Sequence, residues 1–298
     1  ETQDNSLYDT KIFTDNTPDK NVRFTQNESL LNTTTVSNQS KNNYETRLLD
    51  AISYPNYSNY IKIFGERAQI IGVFKVKNAD TGEYERLLKI KFNNYVHKPF
   101  DTNGTNNWET SNLMQTLNSE DNLNFYYNYY KNYFSSAESG NTYFDYDNDL
   151  GSGDPNAYLD LIANVEWDIG GLDSLNISLE DAYKQERGLT PYTANKKTWT
   201  GKIGLPSLTD YLYEKLGADC ASDLSTCSSS SENSPYYITL TKDNTSTSNM
   251  YVYNYAYLPE TSTDGYVYPT FYLKKDVKFV CGNGTRNKPY AITYEECR

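Results

Sequence analysis

Residues 57–92 read YSNYIKIFGERAQIIGVFKVKNADTGEYERLLKIKF. The stretch first alternates polar and apolar residues, then runs apolar through Ile70, Ile71, Val73 and Phe74, as a strand does on entering a core. Asp80-Thr81-Gly82 supplies a turn and Glu85–Phe92 a returning strand. A β-hairpin therefore sits at the heart of the chain, and the remaining segments are read as what packs around it.

Upstream, residues 1–45 are dominated by Asn, Thr, Ser, Asp and Gln, with short candidate strands at Lys11–Thr14 and Val22–Thr25. They read as a β-inclined extension or linker ahead of one α+β domain over residues 46–298. Downstream, Trp108–Phe134 predicts two helices, the second capped by Ser119 with Glu120 and Asp121 in its first turn. Phe125, Tyr126, Tyr129, Tyr130 and Tyr133 recur there at helical spacing, which gives that helix an aromatic face for packing on a sheet. Leu161–Gly171 reads as strand-like, and an amphipathic helix runs from about Ser178 to a Gly188 stop. A further strand over Trp199–Pro206 leads into a short helix capped by Ser207 or Thr209.

The 298 residues carry a formal charge of −12, and 30 Tyr with 11 Phe supply large buryable surfaces although the mean hydropathy is only −0.78. The chain is folded by this measure. Its Lys and Arg are dispersed through an acidic sequence, which argues against nucleic acid as a partner, since that needs a clustered basic face. No window approaches 18 consecutive apolar residues and the chain starts at Glu1, so membrane attachment is expected only through an anchor or signal lost from it.

The four cysteines fall into two sequence-local pairs, Cys220 with Cys227 and Cys281 with Cys297. Such pairs suit two short disulfide loops in an oxidising, extracellular compartment, with free thiols as the competing reading. Zinc is disfavoured, because no C-x-x-C spacing exists and the one histidine, His97, is remote from the cysteines. Oxygen ligands offer a second metal reading: Asp145, Asp147, Asp149 and Asp154 alternate in a Gly-containing loop that can wrap a calcium ion. The match to a helix–loop–helix calcium site is poor, with Leu150 where Gly belongs and Asn156 where Glu belongs. A plain solvated acidic loop is the competing reading, and no cofactor is required.

In Met250–Leu258 the rings of Tyr251, Tyr253, Tyr255 and Tyr257 fall on one face of a single strand, with Val252, Asn254, Ala256 and Leu258 on the other. Beyond it, Tyr268–Leu273 and Val277–Cys281 read as strands, Gly282-Asn283-Gly284 as a tight turn, and Pro289–Ile292 as a return along the edge. A Cys281–Cys297 bridge then clasps the terminus onto this hairpin.

Four motifs in series carry a resemblance: Tyr60-IKIFGERAQIIGVF, Trp108-ETSNLMQTLN, Trp199-TGKIGLPSLTDY and Tyr268-PTFYLKKDVKFVCGNGTRNKPYAI. Over residues 57–293 the chain resembles an uncharacterised domain family of Gram-positive bacterial surface proteins, whose members end in a pattern like RPxxYLKSDVKITGGDGTxxNPYxI. Tyr268-Pro269 departs from its Arg-Pro, and Tyr237-Ile238-Thr239 from the Trp-Thr of its display strand. The resemblance implies a surface location and a C-type-lectin-like, or formylglycine-generating-enzyme-like, α+β core with long loops. It implies no ligand.

Chemistry is scarce in the sequence. There is no G-x-S-x-G elbow, H-E-x-x-H pair or phosphate-cradling glycine loop, and the cysteine pairs read as staples where an oxidase would need a reactive pair in a cleft. A non-enzymatic role is expected. In a lectin-like fold, recognition falls on the strand and loops of residues 217–268, where Tyr251, Tyr253, Tyr255, Tyr257, Tyr266 and Tyr268 form the candidate ligand-binding set. An adhesin or recognition module for a host or neighbouring-cell glycan or protein is the first expectation. A subunit that assembles with copies of itself into a surface filament or layer is the second.

Overall fold

The computed structural model of the chain describes residues 45–47, 60–63, 66–93, 95–118, 160–214, 223–227, 237–253, 255–258, 261–277, 279–292 and 297. The candidate strands at Lys11–Thr14 and Val22–Thr25, the second helix with its aromatic face, the acidic loop with Asp145, Asp147, Asp149 and Asp154, and Cys220 lie outside them. Among the described residues the chain is mixed α+β, mostly sheet with few helices. No helix there is long and apolar enough to cross a membrane.

In chain order the elements are β1 Glu45–Arg47, β2 Tyr60–Ile63, β3 Glu66–Asn78, β4 Tyr84–Phe92, β5 Val96–Pro99, α1 Asn112–Asn118, β6 Val165–Asp168, α2 Leu179–Glu186, β7 Thr198–Gly201, β8 Ile203–Gly204 and α3 Leu208–Glu214. They continue with β9 Tyr237–Lys242, β10 Met250–Tyr253, β11 Tyr255–Leu258, β12 Asp264–Val267, β13 Thr270–Tyr272 and β14 Tyr290–Ala291.

The hairpin is the spine, as the sequence predicts. β3 and β4 pair antiparallel from Ala68↔Phe92 to Lys77↔Tyr84, with one irregularity between Ile70 and Gly72. The turn holds because the Asn78 carboxamide oxygen accepts the Asp80 amide at 2.9 Å and Gly82 takes φ +76°. β4 pairs on its other side with β13, which in turn pairs with β8. The outer edge of β3 is covered in series by β2 at Glu66–Gln69, β1 at Gly72–Phe74 and β6 at Lys77–Asn78. Lys75 and Val76 fall between the last two partners. β14 lies parallel beside β2 and β7 beside β6, completing a nine-stranded sheet.

A second sheet orders β11-β10-β9-β12-β5. The main core draws on both sheets and on α1, with Ile61, Ile70, Leu88, Phe92 and Phe271 fully buried. α2 and α3 cover a smaller apolar cluster that contains Leu179, Leu212 and Tyr251.

Local signals set the helix ends. The Ser178 hydroxyl accepts the Asp181 amide at 3.0 Å and Gly188 takes φ +58°, so α2 starts and stops where its sequence says. For α3, Ser207 is the cap: its hydroxyl accepts the Asp210 amide at 3.2 Å while Asp210 accepts the Ser207 amide at 2.8 Å. The expected strand before it breaks at Lys202 into β7 and β8.

Two expectations are corrected. Met250–Leu258 is two short antiparallel strands, with Met250↔Leu258 and Val252↔Tyr255 paired, because alternation by two fits a tight reversal as well as a single strand. Among the described residues of Val277–Cys281, the one bridge is Cys281↔Ala291. Val277 and Phe279 instead turn into the core, where Phe279 stacks on Tyr290 with centroids 4.3 Å apart.

Candidate functional site

β9, β12 and the segments beside β5 and β13 bring four tyrosines together. Tyr237 sits opposite Tyr266 in the parallel β9–β12 contact, and Tyr266 opposite His97 in the β12–β5 ladder. Because Tyr266 and Tyr268 are two apart, their rings fall to the same side. Tyr237 and Tyr268 stack with centroids 5.6 Å apart, and Tyr95 meets Tyr266 edge-on at 4.1 Å. Tyr95 is 40% exposed and the other three are half-buried, so the rings form a shelf with one side wet. Lys91 lies beneath, its ammonium 5.0 Å from the Tyr211 ring and 6.0 Å from Tyr268. At the rim the His97 imidazole stands 3.7 Å from the Asp264 carboxylate, with both side chains about half exposed.

Of the sequence-predicted tyrosines, Tyr266 and Tyr268 belong to this shelf. Tyr251 does not: it is 2% exposed and packs in the cluster under α2 and α3, because its strand turns that face inward. The side chains of Tyr253, Tyr255 and Tyr257 lie outside the described residues. Tyr95, Tyr211 and Tyr237 were missed. The pattern Tyr95-Val96-His97 and its partner Tyr266-Val267-Tyr268 carried the signal, since two tyrosine-bearing edges with period two belong side by side once paired.

Between β3, β6 and the C-terminal end of α2 a cleft of about 260 Å³ opens beside the stretch of β3 edge between its β1 and β6 partners. Its back wall is a buried ion network. Lys89 Nζ donates to Asp210 Oδ2 at 2.7 Å, and Arg187 reaches Asp210 Oδ1 at 3.4 Å and Glu186 Oε2 at 3.1 Å. Thr241 Oγ1 donates to Glu186 at 2.5 Å. The Lys89 ammonium also sits 5.0, 5.3 and 5.5 Å from the rings of Phe74, Trp167 and Tyr272. Two cations and two carboxylates thus neutralise each other inside the protein and tie α3 and the end of α2 to β4.

The mouth of the cleft is less saturated. Lys77 and Glu166 approach to 3.5 Å, and Lys196 contacts Asp168 Oδ1. About a third of the Asp168 side chain (34%) faces the cleft, yet burial by the surrounding protein pushes its carboxyl pKa up, outweighing the pull of Lys196, Arg187 and Lys89. None of Lys89, Glu186, Arg187 or Asp210 stood out in the sequence as a site.

The Cys281–Cys297 bridge is present, with an S–S distance of 2.06 Å and a Cα–Cα distance of 6.0 Å. The calcium expectation falls on undescribed residues; among the described ones, no three His, Cys, Asp or Glu side chains group as a metal site.

No protein-family model, curated protein or solved structure matches this chain. The shelf and the cleft therefore stand on their own geometry. The shelf offers partly wet rings on a strand-supported base, suited to stacking and hydroxyl contacts. The cleft offers confined, alternating donors and acceptors.

Proposed function

We propose that the chain is a non-enzymatic recognition module of a bacterial cell surface, with a C-type-lectin-like core, that binds a glycan or protein through the Tyr95, Tyr237, Tyr266 and Tyr268 shelf. One observation carries the reading: four partly exposed tyrosines, each ring touching two of the others, converge from β9, β12 and the segments beside β5 and β13. Rigid rings give contact area at little rotamer cost, and their hydroxyls supply direction. The disulfide supports an oxidising, extracellular setting.

The test is a glycan array and a host-protein panel probed with the full chain and with a Tyr95→Ala/Tyr266→Ala variant. Binding weakened at least about tenfold in the variant, roughly 1.4 kcal/mol, with an unchanged unfolding midpoint, supports the reading. Binding indifferent to both rings, or no ligand on either panel, overturns it. A native mass of many subunits with the shelf buried between copies would move the assignment to a self-assembling filament or layer.

A further inference from the structure

The cleft at the C-terminal end of α2 shares no lining residue with the tyrosine shelf, and its mouth has its own chemistry. Glu166 and Asp168 lie on β6, Lys75 and Lys77 on β3, Lys196 just before β7, and Tyr84 and Leu189 also line the cleft. Among the described residues the Asp168 carboxylate meets one partner, Lys196, through Oδ1, and Glu166 meets one, Lys77, at 3.5 Å through Oε2. One oxygen of each carboxylate is left to accept from something in the cleft. Each lysine of these pairs likewise keeps ammonium hydrogens to donate. Each pair is neutral in itself and turns both a donor and an acceptor toward the cleft, while Lys75, also lining it with its ammonium 5.6 Å from the Tyr84 ring, adds one further cation. Tyr84 adds an apolar face that is 63% exposed.

A group that donates to a carboxylate oxygen and accepts from the neighbouring ammonium at the same time is a hydroxyl. Adjacent hydroxyls on one ring would span the Lys77–Glu166 and Lys196–Asp168 pairs, and the C–H face of that ring would lie on Tyr84 and Leu189. The volume of about 260 Å³ falls just under the range for drug-sized pockets, roughly 300–1,000 Å³, which leaves room for a single ring. We propose that this cleft is a binding site for one neutral sugar ring, held by Glu166, Asp168, Lys77 and Lys196 against Tyr84. It is independent of the shelf and holds whether or not the shelf binds a glycan.

The experiment titrates the full chain with free glucose, galactose, mannose and N-acetylglucosamine, with glucuronate and glucosamine as charged analogues. Binding is read by calorimetry and by protein resonance shifts. At least one neutral sugar is expected to saturate the site in the millimolar range. Asp168→Asn and, as a surface change that leaves the fold alone, Tyr84→Ala should each weaken it at least about tenfold. Tyr266→Ala on the shelf should leave it unchanged. The proposal is overturned if no neutral sugar saturates, if a charged analogue binds at least about tenfold more tightly than every neutral one, or if the Tyr84→Ala and Glu166→Gln variants bind like the parent.

Discussion

Gly82 and Gly282 both hold a left-handed backbone, at φ +76° and +91°, yet they face different surroundings. A Cβ at Gly82 would meet nothing within 4 Å, whereas one at Gly282 would fall 1.9 Å from the Pro289 carbonyl oxygen. Gly82→Ala therefore costs only the conformational term, about 1 kcal/mol. Gly282→Ala adds a backbone clash and should cost roughly 3 kcal/mol or more, measured for both by denaturant unfolding with the parent as reference. The glycines were legible as turn residues, but not which one is crowded, because crowding depends on Pro289 coming back across the turn. The ion network shows the same limit more sharply. Lys89 reads as one of four charged residues in β4, with Glu85, Arg86 and Lys91, and its partner Asp210 lies 121 positions away. A buried charge demands a partner, but the sequence does not say which.

Elements built on local signals were the readable ones. The β3–β4 hairpin follows from its alternation and the Asp80-Thr81-Gly82 turn, and α2 from Ser178 and Gly188. Met250–Leu258 misled because a period of two is the same in one strand as in two halves folded together. That error carried the site with it, placing Tyr251 on an exposed face when its ring is buried. The link from β5 to α1 depends on a further local feature, Asp101. This residue is 1% exposed; Oδ2 accepts the Thr105 amide and hydroxyl at 3.1 and 2.8 Å, and Oδ1 accepts the Asn112 amide at 3.3 Å. Burial pushes its carboxyl pKa up, but the hydrogen bonds from Thr105, Asn112 and Asn103 outweigh that and hold it below the ordinary aspartate value. Since the folded value is the lower one, this stabilisation is complete above the unfolded value, about pH 3.9, and disappears as pH falls through the folded one. Asp101→Asn should thus cost about 1–3 kcal/mol at neutral pH, with the gap to the parent closing below about pH 4 in unfolding curves taken across pH. An equal gap at every pH would contradict it.

For the whole molecule, the acidic balance and the tyrosine content pointed to a folded chain with a solvated exterior, and the mixed α+β class came out of the order of periodic segments. The two-sheet layering did not, because it rests on pairings such as β13 between β4 and β8 that join distant stretches. The expected Cys281–Cys297 bridge joins cysteines 16 positions apart. Opening it with reductant, or removing it as Cys281→Ser, should lower stability by about 3 kcal/mol on the loop-entropy estimate, read as a fall in the thermal midpoint. A midpoint indifferent to reductant would show that the tie does not restrain the unfolded chain.

The same bridge also decides how the protein carries tension. β14 lies within the loop it closes and beside β2, near the opposite end of the sheet's path along the chain. A pull applied beyond Cys297 crosses the sulfur bridge straight to Cys281 and never stretches residues 282–296. Load then enters through the segment that follows β13, a strand held on both sides within the large sheet. β14, the last strand in chain order, lies off that load path and is shielded from being the first to peel away.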